Sequence, residues 1–252
     1  MRMFPVLAVV AMGGCGGQFI IKAPDLVAPI GGHAAAVVQI QRTELAFLPL
    51  AVADATVCLQ IGDSPLRAAR SDKHGYIVAT VPVPSQEGVY TMVIRHQNID
   101  GEEASAGVPA YVWDPNGKIV AVEFDCLPEK GKDAEDARAA LHRLAAGGRL
   151  LYLIAKDYVQ SEPLHEFLET RGYPDGPILP WRPGGRFSKP VSPLPPLRET
   201  FPALGLGICH SQEAADAFLR AGMSCVLLGK TRAESPEVTI RLSWAELAAK
   251  GP

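Results

Sequence analysis

The stretch Gly117-Lys118-Ile119-Val120-Ala121-Val122-Glu123-Phe124-Asp125-Cys126-Leu127-Pro128 decides the fold. A glycine turn leads into Ile119-Val120-Ala121-Val122, an unbroken apolar run rich in β-branched residues. Such a run predicts a strand buried on both faces, the kind that parallel sheets use. Acidic side chains follow at Glu123 and Asp125, where the strand should emerge. In open α/β sheets ligands bind at the carboxyl ends of the strands. The stretch therefore predicts the opening strand of a parallel sheet with two carboxylates at its mouth.

The sequence downstream alternates as that reading requires. Asp133 to Ala146 predicts a helix, with Ala137, Ala140, Leu141 and Leu144 at helical spacing and acidic residues in its first turn. Gly147-Gly148 stops it, and Leu150 to Ala155 predicts a second buried strand. Pro163 to Arg171 reads as a helix ended by Gly172, Gln212 to Ala221 as another ended by Gly222, and Ser224 to Leu228 as a strand. A further strand ends near Gly207-Ile208, and a short terminal helix over Ser243 to Lys250 is capped by Ser243. Strands and helices in alternation predict a parallel sheet with right-handed crossovers over 117–252. Prolines cluster between residues 174 and 202, which predicts a long irregular connection.

Upstream, from 23 to 113, the pattern changes. Ala35 to Ile40, Thr56 to Ile61, Tyr76 to Val83 and Val89 to His96 predict strands rich in Val, Ile, Thr and Tyr. Gly, Pro, Asp and Ser separate them, and strands at this spacing predict a β-sandwich. Trp113-Asp114-Pro115-Asn116-Gly117 is a turn-rich hinge between two domains. The fold class expected is thus an all-β sandwich followed by a Rossmann-like α/β sheet.

The whole chain of 252 residues carries a formal net charge of −3, which gives no global attraction to nucleic acid. Its apolar content of 48% is that of a globular protein, and no internal repeat is evident. No CxxC pair occurs, so spacing gives no support to a zinc site. Residues 1–17 have the three-part layout of a targeting segment: Arg2, an apolar run from Phe4 to Met12, then Gly13 and Gly14 before Cys15. The apolar run is shorter than the ~20 residues a bilayer span needs.

Three resemblances follow from these residues. The N-terminal segment resembles the lipobox of bacterial lipoproteins, with Met12 where that family usually has Leu. The resemblance implies lipidation of Cys15, location in the cell envelope and membrane contact through the lipid anchor alone. An ordinary signal peptide or a cytosolic chain with an apolar start are the alternatives. Asp72-Lys73-His74-Gly75-Tyr76, followed by Gly88-Val89-Tyr90, resembles turn and strand-start text of bacterial immunoglobulin-like surface modules. There Asp72 would cap the turn and Gly75 would take a positive φ.

From Gly117 to about Leu228 the text resembles the haloacid dehalogenase-like (HAD) hydrolase superfamily, in the manner of its lipin-like phosphatidate phosphatases. That resemblance implies a D-x-D-x-T motif at Glu123, Asp125 and Leu127, a Ser or Thr at Ala155, a charge-neutralising Lys at Lys189 or Lys156, and a G-D-S text at Cys209-His210-Ser211. The departures are chemical. Glu123 replaces the nucleophilic Asp and displaces its carboxylate by roughly a bond length, and a misplacement of ~1 Å can cost about a hundredfold. Asp125 keeps the acid/base position, Leu127 replaces Thr, and Ala155 lacks the phosphoryl hydrogen bond. His210 and Ala214 replace metal-binding Asp residues, which a hard Mg²⁺ site tolerates poorly. The expectation is a catalytically inactive domain with Glu123, Asp125 and Lys189 at vestigial catalytic positions and Ala155, His210 and Ser211 at vestigial binding positions.

That expectation includes no cofactor, and an unidentified protein or a small phosphate ligand as partner. One alternative is a divergent phosphatase using Asp125 with Glu123 and Mg²⁺. Another is a metal-binding protein using Glu123, Asp125 and His210 with a softer ion. The HAD topology also implies that the loops carrying Cys126 and Cys209 face each other. A disulfide between them, or two unpaired buried thiols, are the two expectations.

Overall fold

The computed structural model describes residues 18–43, 49–98, 101–155, 161–180, 194–229 and 240–251. Residues 1–17 with Cys15, and Lys156 and Lys189, lie outside the described residues. Contacts divide the chain between Trp113 and Asp114 into two compact units. At that division Asp114 accepts the Asn116 N–H on its carboxylate at 2.9 Å, and the Gly117 N–H on its carbonyl at 3.0 Å.

Among the described residues the first unit holds nine strands: β1 (Gln18–Lys22), β2 (Leu26–Pro29), β3 (His33–Thr43), β4 (Pro49–Ala51), β5 (Thr56–Ile61), β6 (Arg67–Arg70), β7 (Tyr76–Pro82), β8 (Gly88–Gln97) and β9 (Glu103–Trp113). β3 pairs with β1 along one edge and with β7 and β4 along the other. The second sheet runs β2-β9-β8-β5-β6. Both contribute to one buried cluster: Ala34, Ala36, Val38 and Ile40 from β3 meet Val57, Leu59 and Ile61 from β5 and Met92 and Ile94 from β8. Alternation makes this possible, since residues two apart line one face of a strand. His33, Ala35 and Val37 accordingly face outward.

The Asp72 turn is built as expected. Its carboxylate accepts from His74 N at 2.8 Å and Tyr76 N at 2.9 Å, and Gly75 has φ +75°. An added Cβ at Gly75 would strike the Ile40 carbonyl oxygen. Pro109 sits inside β9, opposite Thr91 of β8. It is tolerated because β2 pairs only with Ala110 to Trp113, which leaves Pro109 on an open edge.

The described residues of the second unit form a parallel sheet of six strands: β10 (Ile119–Glu123), β11 (Arg149–Ile154), β12 (Ile178–Pro180), β13 (Leu204–Cys209), β14 (Ser224–Leu228) and β15 (Ile240–Leu242). Helices α1 (Lys132–Ala146), α2 (Glu162–Arg171), α3 (Leu194–Thr200), α4 (Gln212–Arg220) and α5 (Trp244–Lys250) connect and close it. A 3₁₀ turn, Phe124–Cys126, follows β10. The strand order is β12-β11-β10-β13-β14-β15, so β10 is central and every residue of it is buried.

The chain moves outward from β10 in one direction through α1 and in the other through α4. Right-handed crossovers then put α1 and α4 on opposite faces of the sheet. α1 lays Ala134, Ala137, Ala140, Leu141 and Leu144 on its buried side. α2 ends at Gly172, whose φ of +69° makes the left-handed cap expected there.

In the first unit β1, β2, β4, β6 and β9 were not expected, and in the second unit three elements depart from the sequence reading. The Pro-rich stretch from 174 to 202 is not wholly irregular: it contains β12 and α3. α3 opens Leu194-Pro195-Pro196, and proline is compatible with a first helical turn because no intrahelical N–H is lost there. β15 was not expected and extends the sheet beyond β14.

β13 and α4 pack at close range through Gly207, where an added Cβ would collide with the Phe218 ring. Phe218 is itself buried. Gly207→Ala should therefore lower stability by about 1–3 kcal/mol through overpacking. A urea midpoint equal to that of the parent protein would contradict this packing.

α5 begins with a full capping box. Ser243 Oγ accepts the Glu246 N–H at 3.2 Å, and the Glu246 carboxylate accepts the Ser243 N–H at 2.9 Å and hydroxyl at 3.0 Å. The Ser243 backbone N–H, then its hydroxyl, hold the Glu246 carboxyl below its ordinary range. A depressed carboxyl contributes stability above its unfolded value, and the contribution is lost as pH falls through the folded value. A carbon-detected NMR titration should put the Glu246 midpoint below the ordinary glutamate value of about 4.3, and Ser243→Ala should raise it. A midpoint unmoved by Ser243→Ala would count against the box.

Candidate functional site

The order of strands reverses at β10, whose neighbours are β11 and β13. This is the position where open α/β sheets leave a crevice between the loops that leave the strand ends. Glu123 is the last residue of β10, and across from it β13 gives way to His210-Ser211 and then to α4.

Glu123 is 2% exposed, and its carboxylate is fully engaged. Oε2 accepts the backbone N–H of His210 at 2.8 Å and that of Ser211 at 3.2 Å. Oε1 accepts the Ser211 hydroxyl at 2.6 Å. Ser211 is also the N-cap of α4, where its Oγ accepts the Ala214 N–H at 3.2 Å. The carboxylate thus sits at the positive end of a helix and receives three donors from one turn of chain. His210 adds its ring: Nδ1 lies 3.1 Å from Oε2, and about half of the side chain remains exposed.

A carboxylate held this way is a tie between two strands. An attacking carboxylate must present an unengaged oxygen to phosphorus, whereas here donors approach both oxygens. The extra methylene of Glu over Asp is what lets the group reach the β13 loop.

The other residues expected at the site fall unevenly. Asp125 is exposed in the 3₁₀ turn and has no hydrogen-bond partner among the described residues. Ala155 follows the end of β11 and is half-buried. His210 and Ser211 meet Glu123, whereas Asp125 does not join them in a group. Among the described residues no three His, Cys, Asp or Glu side chains cluster closely enough to hold a metal ion. The 3.1 Å between His210 and Glu123 is itself a hydrogen-bonding distance.

Of the two expectations for Cys126 and Cys209, the bridged one is corrected and both thiols are free. None of the four described cysteines is in a disulfide, and the sulfur beside Cys209 is that of Cys225, at 3.4 Å. The reason is direction: Cys209 is still within β13 and leans toward β14, while Cys126 lies in the turn after β10. The Trp244 indole donates to the Cys126 carbonyl at 3.3 Å and ties that turn to α5. Burial, and then the charges of Glu123 and Asp125, push the Cys126 thiol well above the ordinary thiol range. It is a neutral thiol at neutral pH and a poor nucleophile.

Sequence reasoning missed the aromatic groups that pin the turn. Phe124 is buried, with its ring 6.2 Å from that of Tyr152 and 5.5 Å from that of Phe167. Tyr173 stacks on Phe167 at 6.0 Å and donates its hydroxyl to the Pro128 carbonyl at 2.6 Å. The Tyr152 hydroxyl donates to the Pro174 carbonyl at 2.7 Å, and burial pushes its own ionisation far upward. The available signal was an aromatic residue in each segment that borders the mouth of β10.

No family model matches the chain, and no curated protein matches it. Among solved structures the chain is slightly similar to a carbohydrate acetylesterase from Xanthomonas citri, at 12% identity and a TM-score of 0.38, over 83% of this chain and 60% of that one. It is also slightly similar to the N-terminal Ig1-2 module of a Drosophila receptor protein tyrosine phosphatase, at 13% identity and a TM-score of 0.25, over 43% and 60% of the two chains. A family 39 glycoside hydrolase from Bacteroides cellulosilyticus gives 14% identity and a TM-score of 0.28, over 86% and 45%. The chain thus spans less than two thirds of each of these structures.

The tie predicts an unexpected outcome. Glu123→Asp, which brings the side chain closer to a nucleophilic Asp, should destabilise the protein by about 1–3 kcal/mol, because the shorter carboxylate leaves buried donors unpaired. Denaturant unfolding reads this directly. An Asp variant as stable as the parent would show that the three donors do not depend on the reach of Glu123.

Proposed function

We propose that this chain is an envelope protein, anchored through Cys15, in which an immunoglobulin-like module precedes a catalytically silent HAD-like domain. Its role is to bind or hold a partner, either a protein or a small phosphate-bearing ligand, and phosphate-ester turnover is absent. The observation that carries the reading is the state of Glu123: the carboxylate at the nucleophile position is buried and bound by His210 and Ser211. The strand order, with β10 central and β13 beside it, is the arrangement the resemblance calls for. His210 and Ala214, where the family has carboxylates, remove the oxygen ligands a Mg²⁺ ion requires. No described helix is long and apolar enough to cross a membrane, so the anchoring part of the reading rests on the sequence of residues 1–17 alone.

One observation favours a second reading. Asp125 is exposed and without a hydrogen-bond partner among the described residues, as an attacking carboxylate would be. A divergent phosphatase built on Asp125 would use it.

A single assay separates the two. Full-length protein incubated with p-nitrophenyl phosphate and Mg²⁺ should release no nitrophenolate above the buffer rate. Turnover well above background that disappears in Asp125→Asn would replace the first reading with the second.

A further inference from the structure

The buried thiols beneath the site form a second feature, independent of the HAD reading. Cys209 closes β13 and Cys225 is the second residue of β14, and both are fully buried. The strands are parallel, with Gly207 opposite Cys225 and Cys209 opposite Leu227. The two cysteines are therefore offset by two residues on neighbouring strands, which puts both side chains on one face of the sheet. They lean together until Sγ and Sγ are 3.4 Å apart. The Cys209 sulfur also lies 3.9 Å from the Val226 carbonyl oxygen, so it is held on the β14 side.

We propose that Cys209 and Cys225 are an oxidisable pair, and that an oxidising thiol–disulfide couple joins them into a disulfide that staples β13 to β14. The sulfurs must approach from 3.4 Å to about 2.0 Å, and since a two-residue diagonal between parallel strands sets the Cα atoms roughly 8 Å apart, β13 and β14 must also draw together or slip slightly as the bond closes. The chemistry is ordinary exchange. One protein thiolate attacks a sulfur of a small disulfide oxidant, forming a mixed disulfide and expelling one small thiolate. The other protein thiolate then attacks the protein sulfur of that mixed disulfide and expels the second. Two protein thiols are oxidised, one small disulfide is reduced to two thiols, and the two protons end on those thiols or in solvent.

The native fold sets when this happens. Both residues are closed to solvent, and hydrogen bonding to Cys225 together with burial keeps the Cys209 thiol protonated at neutral pH. A small disulfide reaches neither sulfur in the closed sheet, so the bond forms while β13 and β14 assemble. The loop it closes spans 16 positions and contains α4 with its Ser211 cap. The staple therefore restrains the turn that binds Glu123.

The test uses the full chain, refolded from urea in a glutathione redox buffer and, in parallel, with reductant. After oxidative refolding, alkylation in denaturant without reductant should mark Cys15, Cys58 and Cys126 and spare Cys209 and Cys225. Peptide mapping should recover the Cys209–Cys225 link, with a mass loss of about 2 Da. The oxidised protein should unfold at a higher urea concentration than the reduced one. Oxidation of the folded, reduced protein in the same buffer should be slower by about tenfold or more, since it requires local opening. Full alkylation of both Cys209 and Cys225 after oxidative refolding would overturn the proposal, as would a main product linking either of them to Cys15, Cys58 or Cys126. These readouts use the parent sequence, so no variant need fold.

Discussion

The second unit depends on one buried negative charge. Glu123 is buried at the carboxyl end of the central strand, where an unpaired carboxylate would be strongly unfavourable. Two backbone N–H groups and one hydroxyl, all from His210 and Ser211, satisfy it. The same hydroxyl caps α4, so strand end, loop and helix start share a single hydrogen-bonded unit. At the switch point of the strand order, where such folds keep room for a ligand, this chain has placed a bond to itself.

That unit explains why the surrounding turn is so heavily anchored. The 3₁₀ turn after β10 cannot move without disturbing Glu123, and it is fixed from three directions. Phe124 packs among Tyr152 and Phe167, the Tyr173 hydroxyl holds Pro128, and the Trp244 indole holds Cys126. Only Asp125 in this turn points to water without a partner among the described residues. The mouth of β10 is built for rigidity, with one exposed carboxylate at its rim.

Much of this architecture was legible because it rests on burial pattern and caps. β10 and β14 are unbroken apolar runs, and α5 announces itself by Ser243 with Glu246 three residues on. β9 was illegible for the opposite reason. Its Ala, Ser, Gly and Pro residues have little strand preference, and its ladder to β8 comes from the hairpin register. β12 and β15, at three residues each, are too short to show a period. At the site, the family resemblance assigned Glu123 and Ser211 to one vestigial site. It could not show that the partners of Glu123 are main-chain amides, which every residue carries. Nor could it show which way Cys209 leans, since that is set by the neighbouring strand.

The separation of the joined residues has a consequence for how the chain acquires its structure. Glu123 and Ser211 are 88 positions apart, whereas β10 meets β11 through a connection of one helix. Closing the longer loop costs more chain entropy, and nonlocal pairings are reached later than local ones. A β10–β11 pair formed early would carry a carboxylate with no donors, and that charge keeps the strand end hydrated. Dehydration of the sheet centre then waits for β13 and its loop to arrive. Burial of the strand end is thereby coupled to the arrival of the β13 loop, since the donors that make a buried Glu123 tolerable all come from His210 and Ser211.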